Sequence, residues 1–273
     1  IQAIVEENRN KHIKNTDKYG ELAEVYKAMQ SCMAWDTIYE PQKERVITTV
    51  SRLWNLTSGG YVLFCWDTYF GAYMASVDNK ELAYSNAIEI TKEKTKDGFV
   101  PNCAWGSGFS SLDRSQPPVG SMVVKELYRK FGDVWLLEEL FDDLYNWNTW
   151  FFNNRSFEDG TMAWGSNPYE GGLGNSWETD GVNATYGGAL ESGLDNSPMY
   201  DDIPFDAKKH IMKLADVGLT GLYILDCEAL ESISEIVNRP EEAEELRVRA
   251  QKCKEGLSTL WDEATGIFLN KRT

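Results

Sequence analysis

Apolar residues recur at helical spacing in one stretch after another, and that periodicity constrains the fold more than any other feature of the chain. Leu22, Tyr26, Met29 and Met33 form one stripe, and Val119, Met122, Val123, Leu127 and Phe131 form a second. Steps of three and four residues put each set on one face of an α-helix. Gly132 closes the second helix, and Asp133 is placed to cap a third carrying Leu137, Leu140, Phe141, Leu144, Trp147 and Phe151. Leu214, Val217, Leu222, Leu225, Ala229, Ile233 and Ile236 predict a long helix that ends at Asn238. Pro240 then opens the next, with Glu241 and Glu242 suited to its positive end and a stripe of Ala243, Leu246, Ala250, Cys253, Leu257 and Leu260. Strand patterns are scarce: Tyr61 to Phe64 is the best, with Thr161 to Trp164 a second candidate. Helices joined by very short turns pack antiparallel, so the expectation is an all-α fold of about eight or nine helical segments built as α/α hairpins.

Between the helices lie two long stretches, 97–118 and 153–211, dense in Gly, Asn, Pro and Ser. Disordered segments are poor in aromatics. These hold Trp105, Phe109, Trp164, Tyr169, Trp177, Tyr186 and Tyr200, which points to ordered, site-forming loops.

Composition removes several function classes. A net charge of −16 is wrong for nucleic acid and for anionic membranes. No apolar run is long enough to span a bilayer. The five cysteines, Cys32, Cys65, Cys103, Cys227 and Cys253, are widely spaced with no CxxC pair, which argues against structural zinc. Cys32, Cys227 and Cys253 fall on apolar helix faces, as buried free thiols do, and the pattern suits a reducing, cytoplasmic compartment. The two histidines, His12 and His210, sit in no triad-like context. Chemistry therefore falls to carboxylates, and no cofactor or metal is implied.

Glu191-Ser192-Gly193-Leu194-Asp195-Asn196-Ser197 sets two carboxylates four residues apart around a glycine turn. A carboxyl held that way is rigid and partly desolvated, as a general acid must be to keep its proton near neutral pH. Three segments group with it: Cys65 to Phe70, the pair Asp97 to Asn102 and Asp113 to Pro118, and Met162 to Asn167 together with Glu191 to Asp202. They supply the candidate sugar-binding residues Trp66, Asp67, Tyr69, Asn102, Arg114, Gln116 and Trp164. A Trp beside an Asp can stack on a sugar ring while the carboxylate accepts from its hydroxyls. Singly, each has a plainer use: Trp66 as core, Asp67 as a helix cap, Arg114 and Gln116 as surface, Asp195 as a turn residue. Their co-occurrence carries the functional reading.

Trp66-Asp67-Thr68-Tyr69-Phe70, Arg114-Ser115-Gln116-Pro117-Pro118 and Glu191 to Pro198, in that order, resemble glycoside hydrolase family 63, both its processing α-glucosidases and its bacterial mannosylglycerate-hydrolase-like branch. The inverting trehalases, which share a Glu-Ser-Gly-x-Asp segment, are more weakly similar. The resemblance runs from about residue 20 onward. It implies an (α/α)6 barrel, with residues 1–273 forming a single catalytic domain cut short at its C-terminus. It implies inversion at an α-glycosidic bond: Asp195 matches the general acid, Glu191 a supporting carboxylate, and Trp66, Asp67 and Gln116 sugar contacts. The family's base is a Glu from near the barrel's end, and nothing after Asp195 resembles it, so the base is expected outside this chain. Glu170 and Glu178 are the alternatives within it. With Arg114 the only basic residue in the three segments, the expected partner is a small neutral α-linked saccharide. The competing readings are a carbohydrate-binding or structural α/α toroid without catalysis, and a phosphorylase or lyase on the same barrel. A phosphorylase would want a basic phosphate pocket.

Overall fold

A computed structural model describes residues 1–55, 60–169 and 176–273. In chain order the elements are α1 (Gln2–Asp17), α2 (Ala23–Asp36), β1 (Thr37–Glu40), β2 (Arg45–Thr48), β3 (Ser51–Asn55), β4 (Gly60–Phe64), α3 (Cys65–Ala75) and α4 (Lys80–Lys92). There follow β5 (Cys103–Trp105), α5 (Gly120–Phe131), α6 (Val134–Arg155), α7 (Ser176–Gly181), α8 (Thr185–Ser192), α9 (Val217–Ile236) and α10 (Pro240–Ser258). No helix among the described residues is long and apolar enough to cross a membrane.

Three hairpins, α3–α4, α5–α6 and α9–α10, form the body. The tight turns are made by local chemistry. The Asn79 side chain accepts the Leu82 N–H at 3.0 Å and so caps α4. Gly132, at φ 77°, ends α5 with its N–H bonded to Tyr128 O. Asp133 does not cap α6 as the sequence led one to expect: its carboxylate is drawn instead to Lys80 (2.5 Å) and the Tyr84 hydroxyl (2.9 Å). Asn238, at φ 59°, closes α9, and Pro240 opens α10.

Within the body, α3 packs on α5 and α5 on α9, with α4 and α6 in contact behind them. The starts of the three first helices lie at one end: the Cys65 N–H bonds to Asn102 O ahead of α5, the Asp216 N–H bonds to Met162 O, and Ser115 and Gly165 of these two connections meet at Glu191. The long connection 93–119, the described parts of the second (156–169 and 176–216) and the short β4 strand gather there, while the tight turns lie at the other end. The core runs between the layers. Tyr69 of α3 stacks on Trp147 of α6, ring centroids 5.8 Å apart, with Leu63, Leu127, Leu136 and Phe151 fully buried around them.

The small sheets were underestimated by the sequence reading. Strand β4 lies in the centre of an antiparallel β3-β4-β5 sheet, and β1 and β2 form a separate hairpin. Thr161 to Trp164 makes a single isolated bridge, Met162 to Ser156, rather than a strand. Leu214 lies before α9, in a two-residue strand. The buried face of α9 is rotated from the expected one: Leu225 is exposed, and Leu219, Tyr223, Asp226, Cys227, Leu230 and Ile233 face the core. Cys227 and Cys253 are buried as expected, but Cys32 is exposed.

That rotation buries a carboxyl group, Asp226, against Asn148, whose Nδ2 donates to it at 2.7 Å. Burial pushes its pKa up to about 6, outweighing the bonds from Asn148 and Ser121. A carboxyl raised on folding holds its proton in the native state after the unfolded chain has lost it, so stability falls as pH climbs between those two pKa values. The expected loss is about 3 kcal/mol across pH 4 to 6. Asp226→Asn should flatten that segment of a Tm-against-pH profile and unfold later than wild type at pH 7. An unchanged slope would show that Asp226 is not protonated in the native protein.

Candidate active site

Glu191 is the point at which the loops at this end of the body meet. It lies in the last turn of α8, not in an open loop, and is fully buried. Arg155, the last residue of α6, is buried opposite it and donates from Nε to Oε2 (2.6 Å) and from Nη2 to Oε1 (2.9 Å). The backbone N–H of Gly165 donates to Oε2 (2.7 Å) and that of Ser115 to Oε1 (3.0 Å). A carboxylate taking four donors in this way is a strongly charge-assisted clamp. Arg155 also holds Asn167 Oδ1 at 2.9 Å and lies over the Trp150 ring. Gly165 is required here: a Cβ would sit 2.1 Å from the His210 carbonyl oxygen and 3.0 Å from the Arg155 guanidinium.

A second buried cluster joins the same loops. Asp113 pairs with Arg114 (3.0 Å to each oxygen) and accepts from the Ser166 hydroxyl at 2.6 Å, while Ser166 Oγ takes the Asn183 N–H. Four loop segments are thus held by buried polar groups that find their partners within the protein.

From this anchor the chain turns out toward solvent. Gly193 ends α8 at φ 70°, and a Cβ there would meet the Trp66 ring at 2.5 Å. The turn thus needs glycine for both its backbone and its close approach to Trp66. The Trp66 N–H donates to Gln116 Oε1 at 3.2 Å, and Asn102 Nδ2 to Leu190 O at 3.4 Å. Past the turn, Asp195 faces a cavity of about 300 Å³ lined by Trp54, Phe64, Asn102, Gln116, Tyr186 and Leu190. Although Asp195 is open to solvent on one side, the surrounding protein raises its pKa above the ordinary Asp value, and the positive charge of Arg114 partly offsets this. Asp67, in the first turn of α3, is also raised, chiefly by burial and further by the negative charge of Asp195. The negative charge of Asp195 thus makes Asp67 harder to ionise.

Of the expected sugar-binding residues, Asn102 and Gln116 line the cavity with Asp195, and Trp66 and Asp67 stand at its side. The other three are buried away from it. Tyr69 is fully buried, its hydroxyl paired with Thr91 and its ring on Trp147. Arg114 is fully buried against Asp113 and acts on Asp195 through its charge. Trp164 is buried in the core. Sequence reasoning missed Arg155, which resembles any helix-terminal arginine, and the cavity residues Trp54, Phe64 and Leu190. Trp54 precedes the strand that was recognised, and its edge-on contact with Phe64 (5.2 Å) makes an aromatic wall. Glu170 and the side chain of Glu178 lie outside the described residues. Among the described residues no three His, Cys, Asp or Glu side chains converge as metal ligands would.

Residues 60–273 match the mannosylglycerate hydrolase MGH1-like glycoside hydrolase domain. The chain belongs to that family. No curated protein sequence matches it. Its fold is shared with an uncharacterised conserved protein from Thermus thermophilus, at 21% identity and TM-score 0.60 over 77% of this chain and 59% of that one. It is shared with a GH63 mannosylglycerate hydrolase from the same organism solved in complex with glucose, at 21% identity and TM-score 0.58 over 77% and 60%. Neutral trehalase of Saccharomyces cerevisiae is similar at 14% identity and TM-score 0.59 over 83% and 52%. The hydrolase and the trehalase are (α/α)6-barrel enzymes, and the three hairpins are part of such a barrel. The chain spans three-fifths or less of the length of each.

The Glu191–Arg155 pair makes a stability prediction. Removing one partner of a buried ion pair strands the other charge, so Arg155→Met should cost about 3–5 kcal/mol in urea unfolding. A loss under about 1 kcal/mol would mean that the carboxylate is satisfied without it.

Proposed function

We propose that this domain supplies the acid half of an inverting hydrolase of α-glycosides, with Asp195 as the general acid. The observation that carries the reading is the raised pKa of Asp195 at the edge of a cavity walled by Trp54, Phe64 and Tyr186 and floored by the amides of Asn102 and Gln116. Aromatic faces suit the C–H surface of a sugar, and amides offer both donor and acceptor to its hydroxyls. Asp195 protonates the departing glycosidic oxygen while a second carboxylate activates water from the opposite face, roughly 6.5–9.5 Å away. Asp195 is the only carboxylate among the described residues lining this cavity, so the base comes from elsewhere in the protein. Membership of a glycoside hydrolase family supports the same chemistry.

The acid works only while protonated. A raised pKa keeps the protonated form present at higher pH than an ordinary Asp would, and turnover falls as pH rises through that pKa. Asp195→Asn should lower kcat on an α-glucoside by about 10²–10⁴-fold and remove that alkaline limb. In wild type, NMR should show the β-anomer of the released sugar first. Release of the α-anomer first, or an Asn variant as fast as wild type, would refute the assignment. Saccharide binding without turnover would favour the toroid that only binds sugar.

A further inference from the structure

A second cavity, of about 250 Å³, opens between α2, the β2–β3 connection and α3, with Asp67 in its wall. Its wall includes Asp36, Thr49, Val50, Asp67, Phe70 and Met74. Its link to the site runs through the first turn of α3, although no described residue lines both cavities. Trp66 touches Gly193 on the acid's own turn and leans against Phe70, ring centroids 5.9 Å apart, while Asp67 lines the second cavity. The negative charge of Asp195 reaches Asp67 and raises its pKa.

We infer that this cavity is a further subsite, holding a neutral sugar unit beyond the two that flank the cleaved bond, so that the substrate is an α-linked saccharide of three or more units. This rests on the reading of Asp195 given above. The chemistry of the wall selects the occupant. Phe70, Met74 and Val50 give an apolar face for a ring, and Asp36 and Asp67 give acceptors for hydroxyls. No Lys or Arg lines it among the described residues, so an anionic group such as a carboxylate or phosphate would meet only negative charge. The space is of the order of one hexose ring. Asp36, Thr49 and Val50 precede residue 60, where the family match begins, so this wall is not part of the matched domain.

Calorimetry on the Asp195→Asn protein with matched di- and trisaccharides of α-linked glucose, one pair per linkage, tests the subsite. For one linkage the trisaccharide should bind about tenfold tighter, and Val50→Trp, which fills the cavity from its half-open rim, should erase that gain while leaving disaccharide affinity within about twofold. Asp36→Ala, a smaller change made in parallel, should reduce the gain even where the Trp variant fails to fold. A disaccharide that binds with no gain from the third sugar, or a gain that survives both variants, overturns the subsite and leaves the acid assignment standing. Failure of every saccharide to bind overturns both.

Discussion

The ion pair between Glu191 and Arg155 is the interaction on which the functional end of this molecule depends. Both groups are fully buried, and burying a charge is costly unless its partners are complete. They are complete here because α6 ends at Arg155, Glu191 lies in the last turn of α8, and the 115 and 165 backbones come to meet the carboxylate. Each partner lies on a different segment, so the pair forms only when all of them are placed. It acts as a lock on arrangement more than as a source of stability, since apolar residues of equal volume can replace such pairs without loss.

What the lock positions is Asp195. The two carboxylates of one short motif end up with opposite roles because their surroundings differ. Glu191 takes four donors and is spent on structure, whereas Asp195 lies beyond a left-handed glycine, meets a desolvating cavity wall, and has its pKa raised. Separating two nearby carboxyl groups by environment is how one fold can tie up one of them and leave the other free for the proton-donor role proposed for Asp195. Arg114 tempers the shift from behind the cavity. Because Asp113 holds it, and Ser166 holds Asp113, its charge is a fixed part of the field around Asp195.

The hairpins were legible because their turns carry residues suited to helix ends: Gly132 and Asn238 take up left-handed backbone beyond a helix, and Pro240 suits a first turn. The Glu191–Asp195 spacing was legible for the same reason, Gly193 marking the turn between them. Less legible was which side of an element faces the cavity. The segment from Trp66 to Phe70 reads as a site loop, but it is the first turn and a half of α3. A helix rotates each residue by about 100°, so Trp66, Asp67 and Phe70 face outward while Cys65, Thr68 and Tyr69 go into the core. Arg155 and Trp54 left no signal, since their importance comes from partners distant in sequence. Asp133 illustrates the converse: its local capping role lost to Lys80 and Tyr84 from another helix.

The division of labour between Asp195 and Glu191 is tested most directly by changing how much the leaving group needs a proton. Fluoride departs from α-glucosyl fluoride with little help from an acid, whereas a sugar alkoxide does not depart without it. If Asp195 is the proton donor and Glu191 the positioning residue, Asp195→Asn will hydrolyse the fluoride at close to the wild-type kcat while failing on the α-glucoside, and Glu191→Gln will lose both in equal measure. If Asp195→Asn is impaired equally on both substrates, Asp195 does not deliver the proton and the roles drawn from this geometry are wrong.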